Sequence, residues 1–193
     1  TAPRAEVYAA TADQTTGALG LWQTLNPVTG ARYSPGVVAR NGYLYAIGGS
    51  GPSGNLNSVY YAALMPDGTV GSWSLTSPLP TGRNSLGATA HGNWVYAVGG
   101  YGSAGALTAV LYTTVDANGA LGAWTATTPL PAARRRHGAV AYNGYLYVVG
   151  GDTGGVPGPP AVYVAPFTSD GTVGAWTTPT AVPVGLFTHG TGA

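Results

Sequence analysis

Short apolar runs alternate with turn residues along the whole chain. The runs are rich in Val, Tyr and Trp, and turn residues such as Gly, Pro, Asn and Asp lie between them. In the middle of the chain this pattern predicts four strands, at Ser85–His91, Trp94–Val98, Ala109–Val115 and Leu121–Thr125. No segment has the 3.6-residue apolar period of a helix with caps. The pattern therefore predicts an all-β protein of short antiparallel strands.

The strand pattern repeats with a period of 51 residues. In each repeat a Gly-Gly pair closes the second strand, and a tryptophan follows in the fourth strand. These positions are Gly48, Gly49, Trp73, Gly99, Gly100, Trp124, Gly150, Gly151 and Trp176. We predict that the glycines allow a close or positive-φ backbone, and that these tryptophans, with Trp22, pack between neighbouring units. Four antiparallel strands per repeat are typical of a β-propeller blade.

The Gly-Gly pair, the tyrosine a few residues upstream and the later tryptophan resemble the kelch repeat family over nearly the whole chain. The resemblance implies a kelch-type β-propeller with four-stranded antiparallel blades. Kelch propellers usually have six or seven blades, and this chain holds about 3.8 repeats. Three arrangements fit. The chain is part of a longer propeller, a four-bladed ring that lacks one strand, or one of several copies that build a larger ring.

We expect residues 1–193 to form a single β-propeller domain or part of one. The repeat boundaries predict outer strands only in 1–31, whole blades in 32–82, 83–133 and 134–185, and a first strand in 186–193. Such an open array leaves exposed strand edges, which another segment or molecule has to cover.

Strand direction predicts where the candidate site lies. Loops from the second to the third strand share one face with the loops between blades, and short hairpins occupy the opposite face. The second-to-third loops 50–58, 101–108 and 152–160 differ in sequence although the rest of the repeat does not. Binding residues concentrate on loops that a rigid scaffold holds, so we expect function on this face.

The innermost strands of a propeller line a central channel. Five side chains are candidates for ligand binding at the mouth of this channel on the face with the variable loops: Arg32, Arg83, Arg134, His137 and Asp152. Each of the three arginines begins the innermost strand of its repeat. A guanidinium group there is suited to bind a carboxylate in bidentate fashion. The alternative is that each arginine ties down loop carbonyls within its own blade. His137 and His189 are equivalent, but no carboxylate recurs beside them, so we predict no metal site.

We expect a non-catalytic module that binds a protein or a glycan. The sequence has no suitably placed pair of carboxylates, no nucleophile motif and no phosphate loop, and we predict no cofactor. The absence of cysteine excludes the copper site of kelch oxidases of the galactose oxidase type. Two alternatives stay open. One is an enzyme that resembles the kelch-type sialic-acid mutarotases, and the other is a structural subunit of a surface assembly or homo-oligomer.

The composition of the chain limits the kinds of partner and the cellular location that we expect. The formal net charge is +1 and 7% of residues are charged, which is too little basic charge for a nucleic-acid binder. No apolar run approaches the length of a membrane helix. The chain has no cysteine, and all seven basic residues are arginines. We expect a secreted, cell-surface or periplasmic bacterial protein.

Overall fold

The computed structural model describes residues 4–13, 15–154 and 161–179, and these residues form seventeen strands and no helix. The strands are β1 Val7–Ala9, β2 Gln23–Leu25, β3 Gly36–Arg40, β4 Tyr43–Ile47, β5 Ser50–Gly51, β6 Gly54–Asn55, β7 Val59–Ala63, β8 Ser74–Thr76, β9 Gly87–His91, β10 Trp94–Val98, β11 Tyr101–Gly102, β12 Gly105–Ala106, β13 Val110–Thr114, β14 Thr125–Thr127, β15 Gly138–Tyr142, β16 Tyr145–Val149 and β17 Val162–Pro166.

The long strands form antiparallel sheets that follow the repeat. Two sheets have four strands, in the orders β3-β4-β7-β8 and β9-β10-β13-β14. A third sheet has the order β15-β16-β17, and an isolated bridge from Val164 to Thr177 lies where its fourth strand is predicted. The outer pair β1-β2 precedes them. The strands β3, β9 and β15 are innermost, and β9 contacts both of the others.

Tight turns join the first and second strands. Asn41 and Gly42 have φ angles of 50° and 78°, and Asn143 and Gly144 have 47° and 79°. Two successive positive φ angles define a type I′ turn, whose twist matches that of the flanking strands. Asn-Gly is the residue pair that most favours this turn, and both pairs form it.

The fourth strand does not lie where the sequence places it. The predicted strand Leu121–Thr125 is instead Thr125–Thr127, which pairs with β13, while Leu121 makes only an isolated bridge to Val115. The chain leaves the ladder between them so that Trp124 can reach the neighbouring blade. The first strand is also shorter than predicted, because Ser85 has a φ of 53°, a left-handed conformation that a strand does not contain.

The core lies between neighbouring blades. One cluster joins the first four-stranded sheet to the second and includes Tyr45, Ile47, Val59, Val95 and Leu111. The other joins the second sheet to the third and includes Tyr96, Val98, Val110, Leu146 and Val148. The second sheet therefore buries its two faces against different neighbours, as propeller blades do.

Two of the predicted features lie outside the described residues. They are the first strand expected in 186–193, with its His189, and the last part of the third variable loop, 155–160.

Candidate functional site

The three repeated arginines are buried, with 5% of Arg32, 3% of Arg83 and 0% of Arg134 exposed. Each guanidinium group reaches back across its own blade to the first carbonyl of the Gly-Gly pair. The Nη1–O distances are 2.8 Å to Gly48, 3.2 Å to Gly99 and 3.5 Å to Gly150. These side chains therefore hold the end of the second strand against the start of the first. Ligand binding by the three arginines stays a prediction.

Further contacts compensate the buried charge of these arginines. Arg32 also donates to the carbonyls of Thr29 and Gly30, and its guanidinium lies 4.9 Å from the ring centre of Tyr60. Arg134 donates to the hydroxyl of Tyr163 at 3.0 Å. Burial lowers the pKa of Arg32, and the same cause lowers the pKa of Arg83. Carbonyl dipoles and aromatic rings favour the charged form at these positions.

The Gly-Gly pairs let neighbouring backbones touch. Gly48 and Gly99 have φ angles of 62° and 53°. A β-carbon on Gly48 would lie 2.5 Å from the carbonyl oxygen of Arg83 in the next blade, and one on Gly99 would lie 2.6 Å from that of Arg134. No larger residue fits there. The pairs thus serve both as the acceptors for the arginines and as the points where adjacent blades meet.

Asp152 forms a buried ion pair at the start of the third variable loop. Its carboxylate accepts from Nε of Arg135 at 2.7 Å, from Nη1 of Arg136 at 3.5 Å and from the backbone N–H of Gly154 at 2.8 Å. Burial alone would raise the pKa of Asp152, but the hydrogen bond from Arg135 and the other two donors hold it below its usual value. Arg135 also lies 4.5 Å from the ring centre of Tyr101 in the neighbouring blade.

Arg136 is the accessible member of this cluster. Its side chain is 44% exposed, against 15% for that of Arg135. Its φ is 55°, and the equivalent residues Ser34 and Ser85 have φ angles of 43° and 53°. The N–H of Arg136 donates to the carbonyl of Ser85, whose own N–H donates to Ser34. These left-handed residues link the three innermost segments on the face that carries the variable loops.

The histidines do not form a site together within the described residues. His137 is 6% exposed and packs beside Gly87 and Gly99 of the neighbouring blade. The ring of His91 stacks on Phe167, with ring centres 4.3 Å apart. In the part of the chain that the structure describes, no three metal-ligating side chains come together.

The tryptophans join neighbouring blades through their indole N–H groups. Trp73, Trp124 and Trp176 donate to the main-chain carbonyls of Asn26, Ser77 and Thr128, at 2.9, 3.0 and 3.1 Å. Trp22 differs, because 66% of its surface is exposed. The expectation that Trp22 packs in the core is therefore wrong for the described residues, which include no strand on that side of β2.

We call the face with the variable loops the loop face, and it carries a cleft between two of these loops. The hairpins β5-β6 and β11-β12 form its sides, and its volume is about 660 Å³. Its lining is uncharged and mixes hydroxyl and amide groups with apolar surface, and it includes Ser53, Asn55, Thr81, Tyr101, Ser103 and Leu107. The predicted loop face thus has a concave surface of a size that suits a ligand or a protruding side chain.

A hydrogen-bond network that the sequence did not reveal fixes one side of this cleft. The amide of Asn55 donates to the carbonyl of Tyr101 at 3.0 Å, and Asn84 donates to the Asn55 side chain at 2.6 Å. Ser85 in turn donates to Asn84. Asn55 belongs to one repeat, and Asn84 and Ser85 belong to the next. The three residues occupy non-equivalent positions, so the 51-residue period does not predict that their side chains meet.

A second concave surface, the central groove, runs between the innermost strands β3, β9 and β15. It has a volume of about 540 Å³. Small apolar side chains and strand edges line most of it, and Arg40, Tyr142 and Asn143 lie at the end nearest the first-to-second-strand turns. We call the face with these turns the hairpin face. None of the five predicted ligand-binding residues lines the central groove.

The repeated sheets, the inter-blade core and the glycine pairs define a β-propeller of the kelch type. A family model described as Kelch motif matches residues 31–61 and 133–159. The chain therefore carries kelch motifs at these two regions. No curated protein matches it. Kelch repeats generally serve as protein-interaction scaffolds, and the chain is consistent with a non-catalytic binding module. The described residues contain no helix long and apolar enough to cross a membrane.

Proposed function

We propose that this chain is a non-catalytic binding module that recognises a protein partner through its loop face, and that it acts outside the cytoplasm. The observation that carries the proposal is the cleft between β5-β6 and β11-β12. It lies between two loops whose sequences differ, on blades whose other positions repeat. Variable loops on a rigid repeat scaffold are where binding surfaces occur.

The chemistry of the cleft favours a neutral, hydrogen-bonding epitope. Its walls offer hydroxyl, amide and main-chain groups, and no charged residue lines it. Asn55 binds the main-chain carbonyl of Tyr101, and the guanidinium of Arg135 lies 4.5 Å from the centre of the Tyr101 ring, so both the backbone and the aromatic side chain have a contact that positions them at the edge of the cleft. Tyrosines in this position often dominate binding energy. The partly exposed Arg136 shares the carboxylate of Asp152 with Arg135.

A glycan is the alternative ligand, because sugar hydroxyls would pair with the same neutral groups. A displayed-peptide library and a glycan array probed with the same protein separate the two. The test variant is Ser103→Arg, which places a large charged side chain in the cleft. The control is Asn118→Arg, an exposed turn residue on the hairpin face.

We expect peptides selected by the wild-type protein to bind the Asn118→Arg variant equally and the Ser103→Arg variant at least tenfold more weakly. Selection of glycans with the same dependence on Ser103 would replace the protein partner with a carbohydrate. Binders that tolerate both substitutions would show that the loop-face cleft is not the site.

A further inference from the structure

The central groove presents open strand edges as well as side chains. A two-residue turn joins each of its strands to the second strand of the same blade. The residue pair that closes such a turn is hydrogen-bonded, and from there hydrogen-bonded and non-hydrogen-bonded pairs alternate along the two strands. In β9 the closing pair is His91 with Trp94, so the main-chain groups of Ala88 and Ala90 face away from β10 and into the groove. One such group in β15, the N–H of Ala141, donates to the hydroxyl of Thr89 at 3.0 Å.

Arg40 ends β3 and lines this groove. All seven arginines lie among the described residues, and six of them have partners there. Arg32, Arg83 and Arg134 bind carbonyls, Arg135 and Arg136 share a carboxylate, and Arg4 pairs with Glu6. Arg40 alone has a side chain with no hydrogen bond or ion pair to any described residue. Its Nε atom is buried and also lacks a partner there.

The surroundings of Arg40 favour an anion. Tyr142 and Asn143 line the same end of the groove from β15 and its turn, and both carry hydrogen-bond donors. Neither Asp nor Glu lines the groove. His91, the residue of β9 equivalent to Arg40 and Tyr142, stacks on Phe167 and is not part of the lining. A planar guanidinium with free donors is suited to pair with a carboxylate in bidentate fashion.

Beyond Arg40 the side chains of the groove are mainly aliphatic, and the main-chain groups of the open strand edges and the hydroxyl of Thr89, which accepts from Ala141, lie between them. Val37, Val38 and Ala39 lie on one side and Ala139 and Val140 on the other. A ligand that enters past Arg40 therefore meets an anion-binding group first and small apolar side chains next. This order matches a molecule with a carboxylate at one end and an aliphatic body behind it.

We propose that the central groove is a binding site for a small aliphatic carboxylate, whose carboxylate group pairs with the guanidinium of Arg40 while its chain lies along the aliphatic walls. This site is separate from the loop-face cleft. Its Arg40 end lies toward the hairpin face, and the site uses none of the residues assigned to partner recognition.

The seven arginines make a direct test possible by NMR. Each arginine gives one Nε–Hε signal in a protein labelled with ¹⁵N, and Arg40→Gln identifies the signal of Arg40 by its loss. The labelled protein is titrated with sodium acetate, propionate, butyrate and hexanoate, each against sodium chloride at the same ionic strength. We expect a saturable shift of the Arg40 signal with carboxylates, and affinity that rises roughly two- to fourfold per added methylene.

Two variants separate the site from general effects. Arg40→Gln, followed through backbone amide signals of the groove strands, is expected to weaken butyrate binding at least tenfold. Arg136→Gln removes a loop-face arginine and is expected to leave it unchanged. Equal shifts with chloride or inorganic phosphate would overturn the assignment to a carboxylate. Affinity independent of chain length, or butyrate binding that survives Arg40→Gln in a folded protein, would overturn the groove as the site.

Discussion

Tyr96→Phe tests the hydrogen bond that joins one blade to the next. The hydroxyl of Tyr96 donates to the carbonyl of Gly171 at 2.8 Å, and Tyr96 is fully buried. Tyr45 makes the equivalent bond to Gly119, also at 2.8 Å. Phenylalanine keeps the ring and removes only the donor. Because Gly171 is itself buried, its carbonyl would be left without a partner and out of reach of water.

The size of the expected loss of stability follows from the burial of this carbonyl. An unsatisfied buried carbonyl costs about 1–3 kcal/mol, so we expect Tyr96→Phe to lower the free energy of unfolding by about 2 kcal/mol. In a domain of this size that corresponds to a fall in Tm of roughly 4–8 °C. Tyr45 and Tyr96 lie in different inter-blade interfaces, so the double variant should lose close to the sum of the two single effects.

Urea unfolding followed by tryptophan fluorescence measures the change, provided that the slope m is the same for all variants. The matched control is Tyr147→Phe, because Tyr147 is the equivalent residue of β16 but its hydroxyl has no hydrogen bond to a described residue. We expect the control to change stability by less than about 0.5 kcal/mol. An equal loss in Tyr147→Phe, or no loss in Tyr96→Phe, would refute the role given to the inter-blade bond.

Three further predictions concern packing, charge and pH. Gly87→Ala should lower the free energy of unfolding by about 2 kcal/mol in denaturant, because the new β-carbon would lie 2.5 Å from that of Ala139, whereas Gly71→Ala meets mainly the flexible end of Met65. Asp152→Asn should cost about 3 kcal/mol by leaving Arg135 buried without its carboxylate, whereas Glu6→Gln at the exposed pair with Arg4 should cost almost nothing; equal effects would contradict the argument. Burial raises the pKa of Tyr45 to about 12, so the unfolded chain loses this proton first and stability falls between about pH 10 and pH 12. Tyr45→Phe should make that fall shallower by up to about 1.4 kcal/mol per pH unit, measured as urea midpoints across this range.

The elements that the sequence predicts well are those that local chemistry determines. The Asn41-Gly42 turn needs two positive φ angles, which only a few residue pairs supply, and the alternation of Tyr43–Ile47 needs a buried strand. The fourth strand was predicted two to four residues too early. Its position depends on Trp124 reaching Ser77 in the preceding blade, and a single repeat contains no information about that contact.

The candidate site could be predicted only in part, because it is made of exceptions to the repeat. The loop face follows from strand direction alone. The partners of the individual side chains do not, since the same residue type serves different roles at different positions. Arg134 is buried against carbonyls, Arg136 two residues later is partly exposed, and Arg40 at the other end of an innermost strand has no partner in the described protein. Composition shows seven arginines but does not separate these environments.

The buried arginines also explain how so weakly charged a chain holds long loops in place. Each one bridges the start of the first strand and the end of the second, and the glycine carbonyl that it binds belongs to the pair that meets the next blade. One side chain therefore fixes both ends of the segment from which a variable loop departs. Since this support lies in the backbone and the repeated residues, loop sequences such as 50–58 and 101–108 can differ without loss of the fold. A scaffold of this kind separates stability from recognition, and arginines outside the repeat, such as Arg40 and Arg136, take no part in this support.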